Sequence, residues 1–105
     1  MPARQIYSRR LWSVPNFNGA YGLVNAGPDL FIVRTVTVYN GGLSQCEFFL
    51  LDENNVALLE AQVGPLSQRY VIWPDIRLMW PPGTTWNLST TSAVDMSGHG
   101  YALTP

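Results

Sequence analysis

Cys46 and His99 come first, because a thiol and an imidazole brought together make a nucleophile and its base. The chain has one of each. His99 stands in Ser97-Gly98-His99-Gly100-Tyr101 with glycine on both sides, and Cys46 opens the apolar run Cys46-Glu47-Phe48-Phe49-Leu50-Leu51. No third group at a recognisable spacing would orient the imidazole, and an apolar setting suits Cys46 as a small core residue. A metal site needs several converging ligands, which one histidine and one cysteine do not supply. Asp52 and Glu53 are adjacent carboxylates within Asp52-Glu53-Asn54-Asn55, where turn chemistry accounts for them. Gly41-Gly42 lies between strand-like runs and leads into no helix that would cradle a phosphate. The expectation is a protein that is not an enzyme and uses no cofactor or metal.

Aromatic residues offer binding chemistry instead. Tyr7, Trp12, Phe17, Tyr21, Trp73, Trp80 and Trp86 have Asn16, Asn18, Asp75 and Asn87 near them in sequence. On an open surface Trp73, Trp80, Trp86 and Asn87 would make a stacking platform for sugar rings, as in a carbohydrate-binding module. The same residue types enrich protein interfaces, which makes Arg9, Arg10, Trp12, Trp73, Arg77 and Trp80 candidates for contact with other subunits. Large aromatics in the strands of a small domain also close cores, and Trp80 and Trp86 fit that third role.

Composition favours covered surface. Apolar residues make up 47% of the 105 and charged residues 12%, about half the roughly 25% usual for soluble domains. A net charge of -1 gives no basic field for a phosphate backbone, so nucleic acid is disfavoured as a partner. All six basic residues are arginine; a GC-rich coding sequence explains this more simply than selection for bidentate contacts. A single cysteine excludes an intramolecular disulfide framework, so packing must hold the fold. No apolar run approaches the roughly 18 residues that span a bilayer, and no h-region follows the N-terminal arginines, so a soluble, unprocessed chain without membrane contact is expected.

The elements that must position these residues are strands. Leu30 to Tyr39 alternates, with Phe31, Val33, Thr35, Thr37 and Tyr39 on one face and Ile32, Arg34, Val36 and Val38 on the other, and β-branched residues dominate it. It reads as a long central strand. Cys46–Leu51 and Val56–Val63 flank the polar Asp52–Asn55 as a β-hairpin. A short helix over Val56–Val63 competes, since Ala, Leu and Glu are good helix formers, but Gly64-Pro65 would stop it within two turns. Strands are expected near 5–14, 20–24, 30–39, 45–51, 56–62, 67–73, 76–80, 84–90 and 98–103, punctuated by Pro15, Asn40-Gly41-Gly42, Gly64-Pro65, Pro74-Asp75 and Ser97-Gly98. In Pro81-Pro82-Gly83-Thr84, proline pre-sets φ at the second position and Gly83 tolerates positive φ at the third, which predicts a type II turn. Such a turn fits a corner where the chain leaves one sheet for the next, with Leu78 and Trp80 before it and Trp86 and Leu88 after it pointing inward. The fold class is a single-domain, all-β antiparallel sandwich, jelly-roll-like, of about eight short strands. Residues 1–14 form an N-terminal arm and first strand, and residues 15–105 the body.

Ser8-Arg9-Arg10-Leu11-Trp12-Ser13, the run Pro28 to Asn40, the stretch from Trp73 through Arg77 to Leu88, and Ser97 to Leu103 together resemble a family of small β-sandwich virion proteins of tailed bacteriophages. The likeness covers nearly the whole chain in pattern. Trp80 and Trp86 depart from it, standing where aliphatic residues are more usual, as does the aromatic content of Cys46-Glu47-Phe48-Phe49. The resemblance implies a structural component of the minor tail, collar, head-tail or capsid-decoration kind. Its partners would be copies of itself, as a ring or trimer, and larger virion proteins. Its location would be the virion, assembled in the host cytoplasm. The arm with Arg9, Arg10 and Trp12 would dock on a neighbour.

Overall fold

The computed structural model describes residues 9–64 and 70–104. Of the residues discussed above, 1–8 of the expected arm and first strand, with Tyr7, and Pro65 and the first three residues of the expected strand 67–73 lie outside that range. The described residues form seven strands and no helix: β1 Arg9–Asn25, β2 Leu30–Asn40, β3 Cys46–Leu51, β4 Ala57–Val63, β5 Tyr70–Trp73, β6 Leu78–Trp80 and β7 Thr84–Leu103. The chain is all-β, and every strand pairing is antiparallel.

A ribbon of β1 and β7 organises the molecule. β7 runs for twenty residues and β1 for seventeen. A straight strand of twenty residues would extend roughly 65 Å, whereas the longest dimension of the molecule is 53 Å. The ribbon must therefore bend. It does so where the pairing slips, between Val14 and Phe17 and between Phe17 and Gly19 on β1, opposite Thr90–Met96 of β7. Asn16 and Gly19 take positive φ there, 49° and 92°, and Pro15 lacks the N–H that a regular ladder would use. On β7 the buried Thr90 hydroxyl donates to the Ser92 carbonyl and completes the kink.

Each half of β7 has a different second neighbour. Residues 87–90 pair with β3, which carries β4, while residues 94–103 pair with β2. The outer side of β2 holds β5 along Val36–Tyr39 and β6 along Phe31–Val33. The result is one sheet, β4-β3-β7-β2-β5, with β1 on β7 and β6 on β2. It folds back until β4 approaches β5, so the body is nearly barrel-shaped.

Seven strands replace the eight or nine short ones because two expected pairs are continuous. The described part of the expected strand 5–14 joins 20–24 through the bulges of β1, and 84–90 joins 98–103 through residues 91–97 of β7. Gly98 and Gly100 are there for clearance. A β-carbon on Gly98 would lie 2.3 Å from the Trp12 indole, and one on Gly100 would lie 1.9 Å from the Ile32 carbonyl oxygen. The hairpin of β3 and β4 is as expected, and its loop is tied by Asp52, whose Oδ1 accepts the N–H groups of Asn54 and Val56.

β2 is central and long, but its two faces are not those of simple alternation. The register shifts between Val33 and Thr35, and Val33, Val36 and Val38 all point into the core. Arg34 is the extra residue, and its carbonyl accepts the N–H of Ile76 from the loop that separates β5 from β6. The bulge thus gives β2 two successive partners on one side.

The Pro81–Thr84 corner carries the chain from β6, paired with β2, to the start of β7, paired with β1 and β3. Gly83 has φ of 76°, and the Thr84 hydroxyl donates to the Pro81 carbonyl at 2.7 Å. Trp80 and Trp86 point inward from its two sides and stack, centroids 5.0 Å apart and planes 20° from parallel. Trp12 meets Trp80 edge-on at 5.7 Å, and Phe31 does so at 5.4 Å. Such a side chain contributes about 1.5–3 kcal/mol or more where it is fully buried, as Trp86 is.

Candidate functional site

The outward face of the β1-β7-β2-β5 half carries a groove of about 400 Å³. Strand register builds it. Ser13 of β1 pairs with Ser97 of β7, which pairs with Thr37 of β2, setting three hydroxyls in one row. In the next row Asp95 pairs with Tyr39, and Tyr39 with Tyr70 of β5. Arg10 and Pro15 complete the opposite wall. The Tyr39 and Tyr70 rings lie 4.8 Å apart at 45°, and Tyr70 is 64% exposed. Asp95 is fixed by the Asn16 N–H, which donates to Oδ1 at 2.6 Å. The strained Asn16 of the β1 bend thus aims a carboxylate along the groove.

Beside it, on the same outward side, Ile72 of β5 pairs with Thr37 and Met79 of β6 pairs with Ile32, leaving the two side chains 55% and 62% exposed along the margin of the sheet. Leu43 in the β2–β3 loop, Val24 and Val56 are exposed elsewhere.

The sequence-derived candidates separate. Trp80 and Trp86 are buried at 2% and 1% exposure, so neither offers a face to a sugar or a subunit. The open platform of Trp73, Trp80, Trp86 and Asn87 is therefore corrected, because inward alternation on both sides of the corner places its two central indoles in the core. Trp73 is half-buried against Phe48, at 5.9 Å, and Asn87 donates to Asn55 at 3.3 Å. Trp12, expected to dock on a neighbour, lies in the chain's own core and donates its indole N–H to the Met96 sulfur at 3.4 Å. Arg9 sits 5.9 Å above the Phe31 ring, Arg10 borders the groove, and Arg77 is exposed in the β5–β6 loop.

Cys46 and His99 do not meet. The thiol is buried beside Ser92 and Val63, and burial pushes its pKa above the ordinary value, with the neighbouring Ser92 side chain and Val63 backbone opposing that rise more weakly. His99 pairs with Arg10 and Thr35 further along β7, on the order of 20 Å of strand beyond Ser92.

Tyr39, Tyr70, Asp95 and the hydroxyl row went unsingled in the sequence. The alternation Thr35-Thr37-Tyr39 placed the β2 members on one face, and Asp95-Ser97-His99 carries the same polar period. Only the pairing of four strands brings them together. No protein-family model matches the chain, and no curated protein matches it.

Proposed function

We propose that the protein is a non-enzymatic structural subunit of a tailed-phage virion, of the minor tail, collar, head-tail or capsid-decoration kind. It assembles with copies of itself, as a ring or trimer, and seats on larger virion proteins. Its place is the virion, reached after assembly in the host cytoplasm. The observation that carries this reading is the outward margin of β5 and β6, where Ile72 and Met79 stand open to solvent in a chain with few charges. Apolar side chains aligned along a sheet margin call for cover, and closed assemblies hide both the side chains and the strand edge. Two halves of an antiparallel sheet facing across one core also suit the jelly-roll-like sandwich that the strand pattern leads one to expect. Arg77, exposed in the β5–β6 loop beside that margin, serves as a rim contact.

Size-exclusion chromatography with light scattering tests the assembly. The 11.7 kDa chain is expected to run as a multimer, and Ile72→Asp with Met79→Asp is expected to shift it toward the monomer. A chain that stays monomeric at every concentration and does not bind virion proteins would sink the reading.

A further inference from the structure

We infer that the groove between Arg10 and the Tyr39–Tyr70 pair is a binding site for a sugar ring. The inference goes beyond the assembly role and does not depend on it. The lining chemistry narrows the ligand class. One cation, balanced by Asp95, is too little positive charge for a phosphate or a nucleic-acid backbone. The opening is wide and shallow, and Ser13, Thr37, Ser97, Asp95 and Arg10 set polar groups among the apolar surface of Tyr39, Tyr70, Pro15 and Met96, so there is no closed apolar volume to hold a lipid chain. What remains is a ligand with one apolar face and many hydroxyls. A pyranose has that form: its C–H face packs on an aromatic ring while its hydroxyls both donate and accept.

Each part of the groove answers one part of such a ring. Tyr70 is exposed, yet braced by Tyr39 at 4.8 Å, so little side-chain freedom is lost when a ligand packs on it. Asp95 has one oxygen held by the Asn16 N–H and accepts sugar hydroxyls at the other, as a charge-assisted acceptor. The Ser13, Ser97 and Thr37 hydroxyls along the floor adapt as donor or acceptor. Arg10 contributes fixed donors at the rim. A volume of about 400 Å³ lies within the roughly 300–1,000 Å³ range of small-molecule sites.

Saturation-transfer difference NMR on the full chain tests this, and the readout works whether or not the chain assembles. The probes are the methyl glycosides of glucose, galactose, mannose and N-acetylglucosamine. At least one is expected to receive saturation on one ring face. Tyr70→Ala should abolish the transfer, and Asp95→Asn should weaken binding roughly tenfold, the loss of one charge-assisted hydrogen bond. Asparagine at 95 keeps the Oδ1 acceptor for Asn16, so folding is preserved, and a matched melting curve checks it. Glu47→Gln, on the outward face of β3, should bind as the wild type does. Absence of transfer to all four glycosides overturns the proposal. So does transfer that survives Tyr70→Ala, an affinity that Asp95→Asn leaves unchanged, or transfer that inorganic phosphate competes away. A multimer without sugar binding would sink this inference alone, while a sugar-binding monomer would sink the assembly role alone.

Discussion

The indole of Trp12 fills the space in which a side chain at position 98 would stand: a β-carbon on Gly98 would lie 2.3 Å from the Trp12 ring. The two residues are register partners on β1 and β7, so the glycine lets the indole cross its strand and reach Trp80. Gly98→Ala is expected to destabilise the protein by about 1–3 kcal/mol through overpacking, and Trp12→Ala by about 3–5 kcal/mol through the cavity it leaves. The two costs should not add. Without the indole there is room for the methyl group, so Gly98→Ala in the Trp12→Ala background should cost almost nothing. Urea denaturation of the four proteins in the cycle measures this, and simple additivity would refute the contact.

Asn25 and Asn40 close the ends of β1 and β2 by the same device. Each side-chain oxygen accepts the N–H two residues on, from Gly27 or Gly42. Each amide nitrogen donates to a carbonyl four residues on and to a distant one, Trp80 for Asn25 and Val63 for Asn40. Asn25→Ala should cost roughly 2–4 kcal/mol, because buried carbonyls lose their donors. Asn25→Asp gives a signed test. Its carboxylate would face the Asp29 and Trp80 carbonyl oxygens, which raises its folded pKa above the unfolded value of about 3.9. The acid form is thus favoured by folding, and the variant should be nearest to wild type below that pH and lose ground as pH rises. Melting curves at acid and neutral pH decide it; a constant deficit would argue against the buried geometry.

Local signals made much of this fold readable. The β-branched run of Leu30–Asn40, the polar Asp52–Asn55 loop and the Pro81–Gly83 corner depend on neighbours in sequence, and each lies where those neighbours put it. Non-local effects were not readable. The extra residue at Arg34 reverses which side chains of β2 face inward, since one inserted residue flips a period of two. Gly98 reads as a break and Gly100 as an ordinary strand position, but both are clearances, demanded by Trp12 and by the Ile32 backbone. The repeated Asn-x-Gly of Asn25-Ala26-Gly27 and Asn40-Gly41-Gly42 was visible, yet its role as a paired cap needs Trp80 and Val63 to be in place. The groove is less legible still, because it gathers residues of four strands through their register.

Tryptophan burial supplies an optical test of the core. Trp12, Trp80 and Trp86 are buried, and Trp73 alone of the four is half-open. Acrylamide quenching of the native protein should therefore come mainly from Trp73. Trp73→Phe is expected to reduce the Stern–Volmer slope to a small residual, while leaving the cooperative unfolding transition in place. A slope unchanged by that substitution would mean that the stacked pair at the corner is open to solvent.

Cys46 should limit stability in alkali. Burial raises its thiol pKa above the ordinary 9.0, so the folded state keeps a proton that the unfolded state has already released. The sign follows from linkage: the contribution is fully present below pH 9.0 and is lost as pH rises toward and through the folded pKa. Denaturation free energies for the wild type and Cys46→Ala should differ by a constant cavity term at pH 7 and converge above the thiol's ordinary pKa. Native protein should also resist thiol reagents at neutral pH, since the buried side chain must be both exposed and ionised to react. Rapid labelling of the folded protein, or a gap between wild type and variant that stays constant with pH, would show that the thiol is not held in the core beside Val63.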